Sequence, residues 1–205
     1  MLEVQYLGLR PYAEVWELQK KLLAQRIDGD IPDQLLLVEH PPVLTCGRRF
    51  QPEHLLHLPT VPIYHVERGG DISFHEPGQL TGYPIIRIPE RNIHRFLRLL
   101  EDILIRTLAD CGLSTGRHPE PAHTGVWIEN RKIASLGIAV KRWVSWHGFA
   151  LNIHNTLQVA QQINPCGFPA TVMTTLQRET TQLWALEEIG ARVAHHLQSA
   201  LKNNT

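Results

Sequence analysis

Apolar positions along this chain change period several times, and each change predicts an element. Glu3–Leu7 alternates polar and apolar residues and predicts an edge strand. Ala13–Ile27 sets Val15, Leu18, Leu22 and Leu23 near helical spacing among lysines and glutamines, which predicts an amphipathic helix ended by Asp28–Pro32. Gln34–Glu39 and Pro62–Val66 read as buried strands, and Ile72–Phe74 and Thr81–Ile86 as strands flanking a Glu76–Gly78 turn, in the manner of a hairpin. Asn92–Cys111 carries Ile93, Phe96, Leu97, Leu100, Leu104 and Leu108 on one stripe; it predicts a long helix capped by Asn92 and ended by Gly112. Gly125–Glu129, Lys132–Val140 and Ser145–Asn152 read as three strands, with Asn130–Arg131 as a turn. Thr180–Leu201 reads as a closing amphipathic helix. Strands and helices mix without a βαβ rhythm, repeat or linker, so the expectation is an α+β fold in a single domain over 1–205.

Composition narrows the class. The 205 residues suffice for one sizeable core, and 43% hydrophobic with 20% charged residues fits a soluble globular protein. Twenty basic and 20 acidic residues leave no net charge, which argues against general nucleic-acid affinity. No apolar run is long enough for a bilayer, and MLEVQYLGLRPY lacks the layout of a secretory signal. Cys46, Cys111 and Cys166 form neither a CxxC pair nor a disulfide framework, in keeping with a reducing, cytoplasmic location. Twelve histidines invite a metal, but no HExxH occurs, and His54, His57, His195 and His196 form no ligand set; no metal or cofactor is expected.

The chemistry concentrates in Arg68–Pro84, RGGDISFHEPGQLTGYP. Four glycines there surround Arg68, Asp71, His75, Glu76 and Gln79. Glycine lets a backbone approach a ligand closely, so the run reads as a binding wall. Downstream come GVWI at 125–128, RKIASLG at 131–137, WHGFALN at 146–152 and NPCG at 164–167. Cys166 stands between Pro165 and Gly167 in a loop with a restricted backbone, a setting suited to a nucleophile. Cys111, at the end of a helical stripe, and Cys46, after the apolar Val43–Leu44, read as inert, buried thiols. A free thiol ionises near pH 8.5 and needs help at neutral pH. Lys132 opens a predicted strand, shares parity with Ala134, Leu136 and Ile138, and so puts its stem on an apolar face.

In order and spacing these blocks resemble the octanoyltransferases of lipoate biosynthesis, from about Gln34 to Thr180. The resemblance implies a central mixed β-sheet flanked by helices, shared with biotin and lipoate protein ligases. It implies transfer of an octanoyl group from octanoyl-acyl carrier protein, through a cysteine thioester, to the lysine of lipoyl domains. The acceptors implied are the E2 subunits of 2-oxoacid dehydrogenases and the glycine cleavage H protein. Cys166 matches the acylated cysteine and Lys132 the lysine paired with it. Arg68, Gly69, Gly70, Asp71, Ile72, Ser73, Phe74 and His75 match substrate contacts, as do Ser135, Leu136 and Gly137, and Gly148, Phe149 and Ala150. His75 and His147 are assigned to positioning substrate and polarising its carbonyl. Glu76 departs from the family pattern, where glycine is common, and Phe168-Pro169-Ala170 lacks the expected glycine-rich character.

Two rival functions remain open to the residues. One is an ATP-dependent lipoate-protein ligase, although the chain has no GxxxxGK(S/T) loop and no evident biotin-ligase phosphate loop. The other is a non-catalytic module that binds lipoyl domains. Docking of an acidic carrier protein needs a local basic patch, for which Arg91, Arg95 and Arg98 on one helix face are the first candidate, with Arg48–Arg49 and Lys141–Arg142 as further pairs.

Overall fold

The computed structural model describes residues 1–120, 123–164 and 169–202. Strand β1 (Leu2–Leu9) leads through helix α1 (Tyr12–Asp28) to β2 (Asp33–Glu39), which pairs parallel to β1. Gly29 ends α1 in the left-handed region at φ +89°, where a side chain is strained. β2 is buried on both faces and alternates between two cores. Leu35 and Leu37 join Leu80, Phe96, Leu100, Ile189 and Val193 on one side; Leu36 and Val38 join Tyr12, Val15, Tyr83 and Ile85 on the other.

The main sheet is completed by β6 (Gln79–Ile85), β9 (Val144–Asn152), β8 (Arg131–Lys141) and β7 (Gly125–Ile128). Its order is β1-β2-β6-β9-β8-β7, antiparallel except for β1 with β2. Helices α2 (Ile93–Ala109) and α4 (Leu186–Lys202) cover the first face, and α1 covers the second. Asn92 caps α2 as expected, its Oδ1 accepting from the Arg95 backbone N–H at 3.0 Å. The fold is thus the mixed α+β architecture the pattern predicts.

Three expectations need correction. The strands around Glu76–Gly78 do not form a hairpin. β5 (Ile72–His75) belongs to a separate three-stranded sheet, β4-β3-β5, with β3 (Val43–Cys46) and β4 (Ile63–His65), whereas β6 lies in the main sheet. The turn is the corner between two sheets. The C-terminal helix also starts later than Thr180: a separate short α3 (Leu176–Thr180) ends at Thr181, held at φ +57°, and α4 begins only at Leu186. Third, a β-bulge shifts the register of β7 and β8, with Val126 opposite Ala134 but Trp127 opposite Lys132. The extra residue, Ile133, reverses the parity of Lys132, which therefore leaves the face of Ala134, Leu136 and Ile138. No described helix is long and apolar enough to cross a membrane.

Candidate active site

The bulge turns Lys132 toward an open cleft between the two sheets, with an internal volume of about 50 Å³. Strands β8, β9 and β6 form the floor. Ser135, Ala150 and Thr81 make one row across it, and Gly137, Gly148 and Tyr83 lie toward the next. Arg68 and residues 70–73 form the opposite wall. At Gly137 wall and floor meet: Gly69 donates its N–H to Ile138 O at 2.9 Å, and a Cβ on Gly137 would lie 3.0 Å from Gly69 O and 3.3 Å from Arg68 Cδ. The Arg68 guanidinium is held there by Thr45, whose carbonyl oxygen accepts from Nη2 at 2.6 Å.

Lys132 is 4% exposed, and its Nζ lies 5.3 Å from the Trp127 ring centroid. Gly125 makes the room for it. A Cβ there would stand 2.6 Å from Lys132 Cε. Gly125 is itself fixed by the buried carboxylate of Glu101, which accepts its N–H at 3.1 Å and pairs with Arg98 and Arg117. The chain after the NPCG block returns beside the lysine, with Met173 bridged to Lys132 and Thr174 N–H donating to Lys132 O at 3.0 Å. At the start of that block Asn164 N–H donates to His54 O at 2.8 Å, and just before it Gln162 O accepts from Leu56 N–H at 2.9 Å. Cys166, with Pro165, Gly167 and Phe168, lies outside the described residues.

The hydrogen bonds fix the state of two histidines. Asn152 Nδ2 donates to Thr174 O at 3.0 Å, so Asn152 Oδ1 is the acceptor for Gln79 Nε2 at 2.9 Å. Gln79 Oε1 must then accept from His75 Nδ1, at 2.8 Å. Burial first, then the neighbouring His40, lowers the His75 pKa to about 3. A neutral ring with its proton on Nδ1 offers Nε2 only as an acceptor. In this state Nε2 of His75 can accept a hydrogen bond but has no proton to donate to a carbonyl. His40 likewise donates from Nδ1 to Arg10 O and accepts from Tyr83 O–H, both at 2.8 Å.

His147 differs. It is 1% exposed, sits in the left-handed region at φ +54°, and makes no ring hydrogen bond among the described residues; its Nε2 lies 3.4 Å from Glu67 Oε2. Its backbone N–H is taken by Gln19 of α1 at 2.9 Å. Burial, then the charges of Arg68 and Lys20, lowers its pKa to about 3. The residue lines the cleft with a strained backbone and both ring nitrogens buried.

The chain matches the lipoyl protein ligase A/B catalytic domain family over residues 11–198. Octanoyltransferase of Syntrophotalea carbinolica is 43% identical over 203 residues, covering 98% of this chain and 95% of that one. Octanoyltransferase of Rubrobacter xylanophilus is 47% identical over 180 residues, 84% and 80% of the two chains. The chain belongs to the octanoyltransferase family. Octanoyltransferases are acyltransferases, and this chain is an acyltransferase by that membership. Among solved structures, lipoate-protein ligase A bound with ATP aligns at a TM-score of 0.74 with 12% identity, covering 98% of this chain and 85% of that one. Biotin protein ligase from Aquifex aeolicus aligns at 0.61 with 13% identity, covering 98% and 70%. At such identity these show the shared fold alone.

Most of this octanoyltransferase's expected contacts do line the cleft: Arg68, Gly70, Asp71, Ile72, Ser73 and His75 on the wall, Lys132 and residues 135–137 and 147–150 on the floor. Phe74 does not; it is 2% exposed in a third core with Leu44, Cys46 and Ile163. Gly69 packs on β8 instead of facing the cleft. Leu136 and Phe149 reach the cleft edge but pack into the first core. Tyr12, Thr81 and Tyr83 were missed, and Tyr12 stacks on His75 at 5.9 Å between ring centroids. Cys46 and Cys111 are buried, and burial raises both thiol pKa values, as suits inert cysteines. Among the described residues no cluster of histidines, cysteines and carboxylates is placed to hold a metal.

Proposed function

We propose that this octanoyltransferase moves an octanoyl group from the thioester of an acyl carrier protein to Cys166, and from there to a lysine amine on a lipoyl domain. The observation that carries the reading is the buried Lys132 at one end of the cleft, with the chain that leaves the NPCG loop hydrogen-bonded alongside it. The Cys166 thiolate attacks the donor carbonyl, and the tetrahedral intermediate collapses with loss of the carrier thiolate. Lys132 Nζ holds the proton that the cysteine gives up and returns it to the departing sulfur. The acceptor lysine amine then attacks the octanoyl-Cys166 thioester. An amide forms, the Cys166 sulfur leaves, and the amine's surplus proton is returned to it. One thioester exchanges for another and then for a more stable amide, so no nucleotide is consumed.

The length of β8 along the cleft floor suits a medium acyl chain. Five strand steps separate Lys132 from the closure at Gly137, roughly 16 Å at about 3.3 Å per residue. A carbon chain with bonds of about 1.5 Å advances about 1.25 Å per bond, so eight carbons span about 9 Å and leave space for the thioester itself. The proposed acceptors are the lipoyl domains of 2-oxoacid dehydrogenase E2 subunits and the glycine cleavage H protein. The reading is tested by octanoyl transfer from octanoyl-acyl carrier protein to a lipoyl domain with and without ATP. Equal rates are expected. An absolute need for ATP, with free octanoate as the better donor, would assign the chain to the adenylating ligases.

A further inference from the structure

Glu76 is a buried carboxylate for which the transfer reading has no use. It is 3% exposed, and no lysine or arginine pairs with it among the described residues. Its partners all lie in one strap, Asn155–Val159. Oε1 accepts from the Leu157 backbone N–H at 2.5 Å and from Asn155 Nδ2 at 3.1 Å; Oε2 accepts from the Val159 backbone N–H at 3.2 Å and Thr156 Oγ1 at 3.5 Å. Leu157 is held in the left-handed region at φ +65°, so the strap turns sharply around the carboxylate. The strap also presses on the corner beneath it: a Cβ on Gly78 would lie 2.8 Å from the Asn155 backbone nitrogen.

From this anchor the chain makes a short 3₁₀ turn at Val159–Gln162, pairs Ile163 with Leu55, and reaches Asn164, two residues before Cys166. Leu157, Val159, Ala160 and Ile163 pack as one unit against Leu44, Ile72 and Phe74. Asn155 extends the same network inward, donating to Asn152 Oδ1 at 3.3 Å, the atom that also receives Gln79. One carboxylate therefore ties the approach to the NPCG loop to the corner that carries His75.

We propose that Glu76 is a positioning residue for Cys166: by gathering the donors of Asn155–Val159 it fixes the segment that delivers the thiol to Lys132. This rests on the Cys166–Lys132 reading above. A glycine at this position would offer no acceptor, so the two backbone N–H groups depend on the carboxylate.

The test uses the full chain with Glu76→Gln, which keeps one acceptor oxygen, and Glu76→Gly, which keeps none. Three quantities are read: kcat and KM with an octanoyl-carrier donor, the thermal midpoint, and the pH dependence of Cys166 alkylation by iodoacetamide, followed by peptide mass spectrometry. Loosening the thiol from Lys132 is expected to lower kcat by about 10- to 100-fold, the scale of an ångström misplacement, with KM unchanged. The alkylation midpoint should rise toward that of a free cysteine, about 8.5. Glu76→Gln should fall between wild type and Glu76→Gly in both. A purely structural role would lower the thermal midpoint and leave the alkylation midpoint of the folded variants at the wild-type value; that result overturns the proposal. If Glu76→Gly does not fold, Glu76→Gln decides by the same midpoint. Failure of the transfer reading shows elsewhere, as wild-type protein that moves no octanoyl group.

Discussion

Replacing Gly125 by alanine perturbs Lys132 without touching its side chain. Gly125 sits at φ +151°, and a Cβ there would stand 2.5 Å from Ala134 O, 2.6 Å from Lys132 Cε and 3.3 Å from its Nζ. Ala134 O belongs to the backbone of β8, so the lysine stem is the softer neighbour. Ordinary carbon contacts lie at about 3.5–4.0 Å, which requires a shift of about 1 Å at Cε. A misplacement of that size at a reacting group costs on the order of 100-fold in rate. The backbone conformation adds strain of about 1–3 kcal/mol. The expected outcome for Gly125→Ala is therefore a kcat lower by about 100-fold, a stability loss of about 1–3 kcal/mol by urea unfolding, and an unchanged KM for the octanoyl donor. Wild-type kcat in the folded variant would refute the claim that Gly125 sets the lysine's position.

Lys132→Ala should abolish most transfer and raise the pH midpoint of Cys166 alkylation, while Lys132→Arg restores charge but not a proton donor and should rescue little; an alkylation profile identical in wild type and Lys132→Ala argues against any coupling. Burial lowers the His40 pKa to about 4 against about 6.5 in the unfolded chain, so the unfolded state binds the extra proton between those values and stability falls as pH drops from 6.5 toward 4. That ring alone contributes a slope of up to about 1.4 kcal/mol per pH unit. Urea midpoints at pH 7 and 5 should therefore diverge less in His40→Gln than in wild type, and equal divergence contradicts the assignment. Arg95 and Arg98 pair with Glu90 and Glu101, which weakens their case as a carrier-docking face. Arg48 and Arg49 instead donate their backbone N–H groups to Arg68 O and Gly70 O at the cleft wall. Arg48→Glu with Arg49→Glu should raise KM for octanoyl-acyl carrier protein but not for octanoyl-coenzyme A, and an equal rise for both donors rules out docking.

The long periodic elements were legible because burial follows period: α1 and α2 appear within a few residues of their predicted bounds. What the pattern missed was set by contacts between distant segments. The Glu76–Gly78 turn carries the residues of a hairpin turn, yet the strand before it pairs with β3 and the one after it with β2 and β9. Nothing in a local window separates these outcomes. Alternation gave Lys132 the wrong face, because one bulged residue reverses parity and Arg131–Lys132–Ile133 bears no glycine to mark it. The site residues were legible mainly through the family blocks. Tyr12 and His40 lie outside the stretches singled out for contact and reach the wall only through α1 packing and the chain after β2, while Tyr83 stands inside the Arg68–Pro84 run without having been named as a contact. Glu76 was visible as an oddity, but its partners, some 80 residues away, were not.

The central claim is a covalent octanoyl-Cys166 intermediate, and intact mass spectrometry after mixing the chain with octanoyl-acyl carrier protein, without a lipoyl acceptor, tests it most directly. The expected result is one octanoyl addition per chain, mapped to the Cys166 peptide, removed by hydroxylamine, discharged on adding a lipoyl domain and absent from Cys166→Ser. Octanoyl transfer by Cys166→Ser at the wild-type rate, with no addition on Cys166 at any time, would contradict it.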